Sequence, residues 1–326
     1  MKAIHINEFG GPEQLKLADV TLPQVGAHEV GVTLYAAGVN PSDIYTATGT
    51  YAVKPTLPYT PGNDGAGIVT EIGEAVTHIA VGDRVFVAGG QSRVFTGTFA
   101  EQIVCDASSV HRLPENTTFE QGAALGVPAF TAYRALVGRA NVQAGQMVLI
   151  HGASGAVGLI AVQIAKHLGA TVIGTASRAE GKALVQEAGA DVVLDHITEE
   201  TIQSVLDVTD GKGPDVIIEF LANANLQTDL LVVKKRGIIV VIGNRGDITI
   251  NPRLMMQKEC DVRGMVLWNV TADEYAELVT GVTELLEQRA FTPIIGKVFP
   301  LAEAATAFAE VSDGASNGKV IVQIQQ

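Results

Sequence analysis

Residues 148–158 read Val-Leu-Ile-His-Gly-Ala-Ser-Gly-Ala-Val-Gly, and this stretch decides the fold. The apolar run from Met147 to Ile150 predicts a buried strand, which breaks into glycines at positions 152, 155 and 158. An Ala-rich helical pattern follows from Leu159 to Leu168, and residues 170–175 predict a second strand. Strand, glycine turn, helix and strand together make the βαβ unit of a dinucleotide-binding fold.

The glycine turn is the predicted phosphate site. Glycines let the backbone approach a pyrophosphate closely, and the helix N-terminus presents free N–H groups to it. The spacing is Gly-x-x-Gly-x-x-Gly rather than the commoner Gly-x-Gly-x-x-Gly. A tight turn that serves packing alone is the alternative, and the flanking strand and helix favour the cofactor site.

The end of the second predicted strand indicates which dinucleotide binds. It reads Gly174-Thr-Ala-Ser-Arg178, without the Asp or Glu that usually binds the ribose 2′-hydroxyl of NAD. The guanidinium of Arg178 suits a 2′-phosphate, and Lys182 adds positive charge. The sequence therefore favours NADPH, the alternative being that Arg178 is a solvated residue at a helix start.

Composition limits the class of protein. The 326 residues are 47% apolar, enough for two domains, and the net charge of −13 argues against nucleic acid as the main partner. Cys105 and Cys260 give no disulfide framework, which fits a reducing compartment. The N-terminus lacks a hydrophobic signal core, and no apolar run approaches the roughly 18 residues of a membrane span. We expect a cytoplasmic protein.

The chain divides into two kinds of pattern. Residues 1 to about 114 predict short strands separated by turns, as in a β-barrel. From Gln146 onward strands alternate with helices, which predicts an α/β fold with a doubly wound parallel sheet. A closing strand, Lys319 to Ile324, is expected to return to the β domain. The expected domains are residues 1–123 with 267–326, and 124–266.

The chain also resembles a known family. The matching segments are Phe9-Gly-Gly-Pro12, Gly38-Val-Asn-Pro41, Leu57-Pro-Tyr-Thr-Pro-Gly62, Gly82-Asp-Arg-Val-Phe86, Phe130-Thr-Ala-Tyr-Arg-Ala-Leu136, His151-Gly-Ala-Ser-Gly155, Leu221-Ala-Asn223, Asn251-Pro-Arg253 and Gly318-Lys319. In them the chain resembles the medium-chain dehydrogenase/reductase superfamily, and within it the zeta-crystallin-like NADPH:quinone oxidoreductases. The resemblance implies a Rossmann domain plus a GroES-like β-barrel domain, NADPH as the cofactor, and a homodimer or homotetramer.

A catalytic zinc is not expected. The positions that match the superfamily's zinc ligands look like Asn40, Asn63 and Val127. Zinc needs thiolate, imidazole or carboxylate donors, which two amides and a valine do not supply. The hydride acceptor must then already be electrophilic, as a quinone or an enone is.

The resemblance also implies residues for the acceptor. Tyr45 and Tyr51 lie in the loop that matches the family's substrate pocket, and phenols offer a stacking face and a hydroxyl donor. Asn40 and Asp43 are expected to position the nicotinamide or the acceptor by hydrogen bonds. The alternative for these two residues is a turn and helix cap.

The implied cofactor contacts follow the predicted strands. Those at the pyrophosphate are Gly152, Ser154, Gly155, Ala156, Val157 and Gly158; those at the adenosine phosphate are Ser177, Arg178 and Lys182; those beyond the third to fifth strands are His196, Asn225, Ile242, Gly243, Asn244 and Arg245. Ser177 stands where the family usually has glycine.

Three functions remain open from the sequence. The first is an NADPH-dependent quinone reductase that passes a hydride or single electrons. The second is an enone or 2-alkenal double-bond reductase, which uses the same kind of site. The third is a non-catalytic, crystallin-like or NADPH- and RNA-binding protein. A net charge of −13 opposes an RNA-binding role, since that affinity rests on phosphate neutralisation.

Overall fold

The computed structural model describes residues 1–51, 54–89, 97–196, 199–314 and 316–325. The chain forms two compact units, residues 1–128 with 293–326, and residues 129–292. Within the described ranges, no helix combines the length and the apolar character that crossing a bilayer requires.

Between residues 1 and 112 the described elements are mainly strands, and from Met147 onward strands alternate with helices. The strands are β1 (Lys2–His5), β2 (Lys16–Asp19), β3 (Glu29–Gly38), β4 (Asp64–Ile72), β5 (Arg84–Ala88), β6 (Gln102–Asp106), β7 (Val110–Arg112), β8 (Met147–Ile150), β9 (Thr171–Thr175), β10 (Val192–Leu194), β11 (Val216–Glu219), β12 (Ile238–Val241), β13 (Asp261–Gly264), β14 (Ile295–Pro300) and β15 (Lys319–Gln323). The α-helices are α1 (Pro41–Ala47), α2 (Phe119–Gly122), α3 (Gly126–Tyr133), α4 (Ala156–His167), α5 (Ala179–Glu187), α6 (Glu199–Val208), α7 (Ala222–Val232), α8 (Pro252–Lys258), α9 (Ala272–Glu287) and α10 (Ala304–Ser312).

The first unit is built on a seven-stranded sheet. Its strand order is β14-β15-β3-β4-β5-β7, and β6 pairs with β3. The closing strand β15 runs antiparallel to β3 and parallel to β14, so the expected return of the chain to the β domain is confirmed. One core cluster on this sheet includes Phe99 and Phe308, whose rings meet edge to face at 5.3 Å.

Helix starts in this unit follow the sequence signals. The Thr118 hydroxyl accepts the Gln121 N–H at 3.2 Å, and the Gln121 side chain accepts the Thr118 N–H at 3.0 Å. This reciprocal pair is a capping box, for which Thr-x-x-Gln is a sequence signature. At the start of α1, the Asp43 carboxylate accepts the Asn40 N–H at 2.8 Å, as the helix-cap alternative for this segment predicts.

The second unit is a doubly wound parallel sheet. Its strand order is β10-β9-β8-β11-β12-β13, and every pairing is parallel. The order reverses beside β8, and ligands of such folds bind outside the carboxyl ends of the strands at that point. Leu149, Ile173, Ile217 and Ile239 come from successive strands and are fully buried together. The Rossmann fold is therefore confirmed.

The domain boundaries differ from those expected. Residues 267–292 were expected in the β domain, and they belong to the second unit instead. The reason is contact between α9 and the helical segment after Pro128: the Arg134 guanidinium lies 3.9 Å from the Glu274 carboxylate, and the rings of Phe130 and Tyr275 meet at 5.8 Å. The first boundary likewise falls after Pro128, within α3, and not after residue 123.

Candidate functional site

The glycine turn joins β8 to α4 in the second unit. The Gly152 N–H donates to the Thr175 hydroxyl at 3.1 Å, and the Ala153 N–H donates to the Thr175 carbonyl at 2.8 Å, so the turn is fixed to the end of β9. Helix α4 begins immediately after Gly155 and has no acidic residue in its first turn. Its free N–H groups and positive dipole end are therefore available to an anion.

The structural surroundings of glycine differ at each of the three positions. Gly152 has a φ of +52°, a conformation that other residues rarely adopt. A Cβ on Gly158 would lie 2.7 Å from both the Ala153 Cα and the Gly152 oxygen, so glycine is needed there for close packing. A Cβ on Gly155 would meet the Gly152 oxygen at an ordinary 3.5 Å. Packing within the described residues therefore does not require glycine at position 155, and its contact with a pyrophosphate stays a prediction.

The end of β9 is polar and exposed. Ser177 and Arg178 are both exposed, and Arg178 is the residue from which α5 begins. Lys182, in the first turns of α5, forms a 2.7 Å ion pair with Asp195 just after β10. The Asp195 carboxylate thus offsets part of the positive charge that Lys182 would offer to a phosphate. The phosphate-binding roles of these residues stay predictions.

The remaining predicted cofactor residues follow β10, β11 and β12. His196 Nδ1 lies 3.5 Å from the Thr175 hydroxyl, and burial lowers the pKa of His196. Asn225 donates from its side chain to Glu219 at 3.2 Å. The Ile242 N–H donates to the Glu219 carbonyl at 2.8 Å. Gly243 permits a close approach, since a Cβ there would lie 2.2 Å from the Phe220 carbonyl oxygen.

Residues 244 and 245 complete this series. The Arg245 N–H donates to the Asn223 side chain at 2.9 Å, and Asn244 donates to the Gly246 carbonyl at 2.6 Å. These segments lie at the carboxyl ends of parallel strands, together with the glycine turn. The structure thus brings the predicted cofactor residues to one edge of one sheet.

A buried ionisable cluster lies beneath this edge, and sequence reasoning missed it. His151 Nε2 lies 2.9 Å from Asp229 Oδ1 and 3.6 Å from Glu219 Oε2. The exposed fractions are 3% for His151 and 0% for both acids. The available signal was a carboxylate that ends the apolar run of β11.

The first unit holds a second buried polar network. Asn40 donates from its amide to Asp64 at 2.8 Å and accepts from Lys319 at 2.6 Å. Lys319 also donates to Asp64 at 3.1 Å, and Asn63 donates to Asp43 at 2.6 Å. Lys319, Asn40, Asp43 and Asp64 are each at most 2% exposed. The network is therefore a satisfied, buried one, in which Asn40 and Asp43 are already engaged.

Burial shapes the charge state of Asp43. Burial and the nearby charge of Asp64 raise the pKa of Asp43 to about 7, against the opposing effects of Lys319 and of the bonds from Asn40 and Asn63. Asp43 therefore titrates near neutrality, while Lys319 supplies the positive charge of the network. A direct contact of Asn40 or Asp43 with an acceptor stays a prediction.

The two predicted tyrosines belong to one local structure. Tyr45 lies in α1, and its carbonyl accepts the Tyr51 N–H at 3.0 Å. Both residues are half-buried, in contrast to the fully buried Asp43 nearby in the sequence. Their stacking and hydrogen-bonding roles toward an acceptor stay predictions.

The donors in the first unit do not fit a catalytic zinc. Of the three positions, Asn40 and Asn63 are amides whose nitrogens donate to carboxylates. Val127 contributes only its backbone, and its N–H donates to Asp64 at 2.8 Å. Zinc is bound by thiolates, imidazoles and carboxylates. These three positions therefore lack the ligands of a catalytic zinc site.

Comparisons with known proteins cover the whole chain. Residues 26–115 match the family model of the alcohol dehydrogenase GroES-like domain, and residues 156–284 match that of the zinc-binding dehydrogenases. A quinone oxidoreductase of Homo sapiens is 42% identical over 324 residues, which are 99% of this chain and 97% of that protein.

The solved structures to which the chain is similar include two complexes with NADPH. The Escherichia coli quinone oxidoreductase complexed with NADPH is 29% identical, with a TM-score of 0.90 over 99% of this chain and all of that one (100%). A mycobacterial protein complexed with NADPH is 30% identical, with a TM-score of 0.90 over 99% and 100% of the two chains.

Proposed function

The chain belongs to the quinone oxidoreductase family of the medium-chain dehydrogenase/reductase superfamily, and we propose that it reduces quinones with NADPH. The observation that carries the choice of cofactor is the end of β9. There Ser177 and Arg178 are exposed at the carboxyl edge of the sheet that also holds the glycine turn. A guanidinium in place of an acid favours the 2′-phosphate of NADPH over the bare ribose of NADH.

The second unit binds the cofactor. The N–H groups at the start of α4 and the turn 152–155 hold the pyrophosphate, and Arg178 holds the 2′-phosphate with help from Ser177 and Lys182. Segments 225 and 242–245 border the nicotinamide ribose. When bound, NADPH supplies the hydride for the reduction. The protein residues contribute position and charge neutralisation.

The acceptor is held by the first unit. The rings of Tyr45 and Tyr51 stack against a flat quinone, and their hydroxyls donate to its oxygens. Asn40 and Asp43 act mainly as positioning residues, since the amide of Asn40 and the carboxylate of Asp43 already hold Asp64, Lys319 and Asn63. No metal takes part, because quinones need no Lewis acid to accept a hydride.

The assembly is at least a dimer, in the cytoplasm. Strand β13 is the last strand of its sheet, and the nearby Val266 and Trp268 are 49% and 38% exposed. Sheet edges of this kind are commonly paired or covered. The free cysteines Cys105 and Cys260 are both buried, as suits a reducing compartment. Sedimentation velocity tests the oligomeric state.

The test of function is NADPH oxidation with a panel of acceptors. The panel holds 1,2-naphthoquinone, a simple enone, and a primary alcohol with NADP⁺, each with and without a chelator. We expect quinone turnover that the chelator does not affect. Turnover of the enone alone would move the protein to the alkenal reductases. Binding of NADPH without any turnover would instead favour a non-catalytic role and direct the search to salt-dependent RNA binding.

A further inference from the structure

We propose that His151, Glu219 and Asp229 form a proton-holding cluster beneath the cofactor loops, and that binding of NADPH drives a proton from solvent onto Glu219. The inference rests on the proposed cofactor site. The three side chains are each at most 3% exposed, so they do not contact the cofactor themselves. They instead affect how tightly the cofactor site binds an anion.

The cluster joins three elements of one unit. His151 follows β8, Glu219 ends β11, and Asp229 lies in α7. The imidazole Nε2 is at hydrogen-bond distance from Asp229 Oδ1, 2.9 Å, and 3.6 Å from Glu219 Oε2. One imidazole therefore serves two carboxyl groups.

The two acids are incompletely satisfied. Glu219 Oε1 accepts from the Leu221 N–H and the Asn225 amide, whereas Glu219 Oε2 and Asp229 Oδ2 are buried without a hydrogen-bond partner among the described residues. Leaving a buried carboxylate oxygen unpaired is costly. With His151 charged, both acids ionised give the cluster a net charge of −1, and one further proton on Glu219 makes it neutral.

The pKa shifts of Glu219 and His151 are consistent with a shared proton in this cluster. Burial raises the pKa of Glu219 to about 7, and Asp229 adds to the effect against the opposing charge of His151. Burial lowers the pKa of His151, but Asp229 and Glu219 outweigh it, and the pKa is raised overall. Among the residues that the structure describes, His196 interacts with His151, and Asp195, which is paired with Lys182, interacts with His196.

The cluster is linked to the predicted cofactor loops. His151 is the residue before Gly152, at the start of the phosphate turn. The Glu219 side chain accepts a hydrogen bond from the Asn225 amide, and the Glu219 backbone carbonyl accepts one from the Ile242 N–H. A change of charge at Glu219 therefore acts on the segments that carry Asn225 and Ile242 and, through His151, on the start of the phosphate turn. A pyrophosphate above the turn disfavours the −1 state of the cluster and favours the neutral one.

Linkage makes this measurable. If the bound cofactor raises the pKa of Glu219 by about one unit, formation of the complex near pH 7.5 takes up roughly half a proton from the buffer. The dissociation constant of NADPH is then about tenfold larger at high pH than at low pH. Isothermal titration calorimetry of the full-length protein with NADPH, in PIPES and in Tris at the same pH, gives the proton count. The same titrations give the dissociation constant across pH 6 to 9.

The Glu219→Gln variant isolates the effect. An amide copies the shape of the protonated acid, and its oxygen still accepts from Leu221 and Asn225. We expect this variant to lose the proton uptake and to bind NADPH several-fold more tightly than the wild type above pH 8. Glu187→Gln, a matched change of an exposed residue on α5, should behave as the wild type does. Titration of the cofactor's own 2′-phosphate is common to all three proteins and cancels.

The outcomes are distinct. Equal proton uptake in the wild type and in Glu219→Gln, or none in either while NADPH binds, would overturn the inference. If the wild type retains one equivalent of zinc and Glu219→Gln does not, the cluster is a divalent-cation site, and the proton-holding role is overturned. Failure of the wild type to bind NADPH would overturn the proposed function itself. If the variant does not fold, infrared difference spectra of the wild type must show a new protonated carboxyl band on NADPH binding; its absence counts against the inference.

Discussion

Lys319 Nζ lies 3.1 Å from Asp64 Oδ2, although 255 residues separate the two in the sequence. The exposed fractions of the two side chains are 2% and 0%, so both charges have left water. The second bond of Lys319, to Asn40 Oδ1, connects this pair to the start of α1, the helix that carries Tyr45. The geometry of the predicted acceptor segment therefore depends on a side chain from the last strand.

Removing Lys319 should be strongly destabilising. In Lys319→Met the Asp64 carboxylate loses its cation in a buried place, which typically costs about 3–5 kcal/mol. Urea unfolding of the full-length protein measures the change. The control is Lys2→Met, which breaks the exposed 2.7 Å pair with Asp19 and should cost less than about 1 kcal/mol. Equal losses in the two variants would contradict the importance of the buried pair.

Two glycine substitutions should separate binding from folding. Gly155→Val places a Cβ 3.5 Å from the Gly152 oxygen, an ordinary contact, beside the start of α4, so we expect normal thermal stability and loss of NADPH binding. Gly158→Val forces a Cβ to within 2.7 Å of the Ala153 Cα, so we expect a lower melting temperature as well. Tight NADPH binding by a folded Gly155→Val protein would show that the pyrophosphate lies elsewhere.

Arg178 should set the preference between the two nicotinamide cofactors. Arg178→Ala removes a charge-assisted bond to the 2′-phosphate, so the dissociation constant for NADPH should rise about 10–100-fold while that for NADH is spared. Lys182→Ala is the comparison, and its effect should be smaller because Lys182 is paired with Asp195 at 2.7 Å. Fluorescence titration with both cofactors measures this. Equal weakening of NADPH and NADH by Arg178→Ala would rule out the 2′-phosphate role.

The tyrosine hydroxyls should act on the acceptor and not on the cofactor. Tyr45→Phe and Tyr51→Phe each remove one neutral hydrogen bond while keeping the ring, so kcat/KM for 1,2-naphthoquinone should fall about 2–10-fold in each. The dissociation constant of NADPH should stay unchanged. Tyr133→Phe, a half-buried tyrosine of the second unit, is the matched control. Unchanged quinone kinetics in both loop variants would remove the tyrosines from the site.

The stability of the cofactor-free protein should reveal the buried acid at position 219. The pKa of Glu219 is raised to about 7 from an ordinary 4.5, so the folded protein holds a proton that the unfolded chain releases between those pH values. Its contribution to stability is present below that window and is lost as the pH rises through it. The melting temperature of Glu219→Gln minus that of the wild type should therefore grow from pH 5 to pH 8. A constant difference would mean that Glu219 stays ionised in the folded state.

Local sequence patterns were sufficient to predict much of the fold. The apolar runs at Met147–Ile150 and 170–175 predicted two strands of the Rossmann sheet, and the alternation from Gln146 onward predicted its doubly wound form, as the structure confirms. The pairing of His151 with Asp229, 78 residues apart, was out of reach, because burial had to bring a turn and a helix together first. Residues 267–292 were misassigned for the same reason, since the amphipathic face of α9 does not reveal its neighbour. The positions at the carboxyl strand ends were predictable, because the fold class alone sets them.

The closing strand has a consequence for biosynthesis. Residues 129–292 form one compact unit from a continuous stretch of chain, whereas the first unit needs residues 293–326 to supply β14, β15 and α10. During translation the unit with the Rossmann sheet can thus reach its native contacts while the sheet edge along β3 still awaits β15. Until then Asp64 and Asn40 lack their cation. We expect a nascent chain stalled before Lys319 to resist protease in its middle and to be cleaved within its first 128 residues.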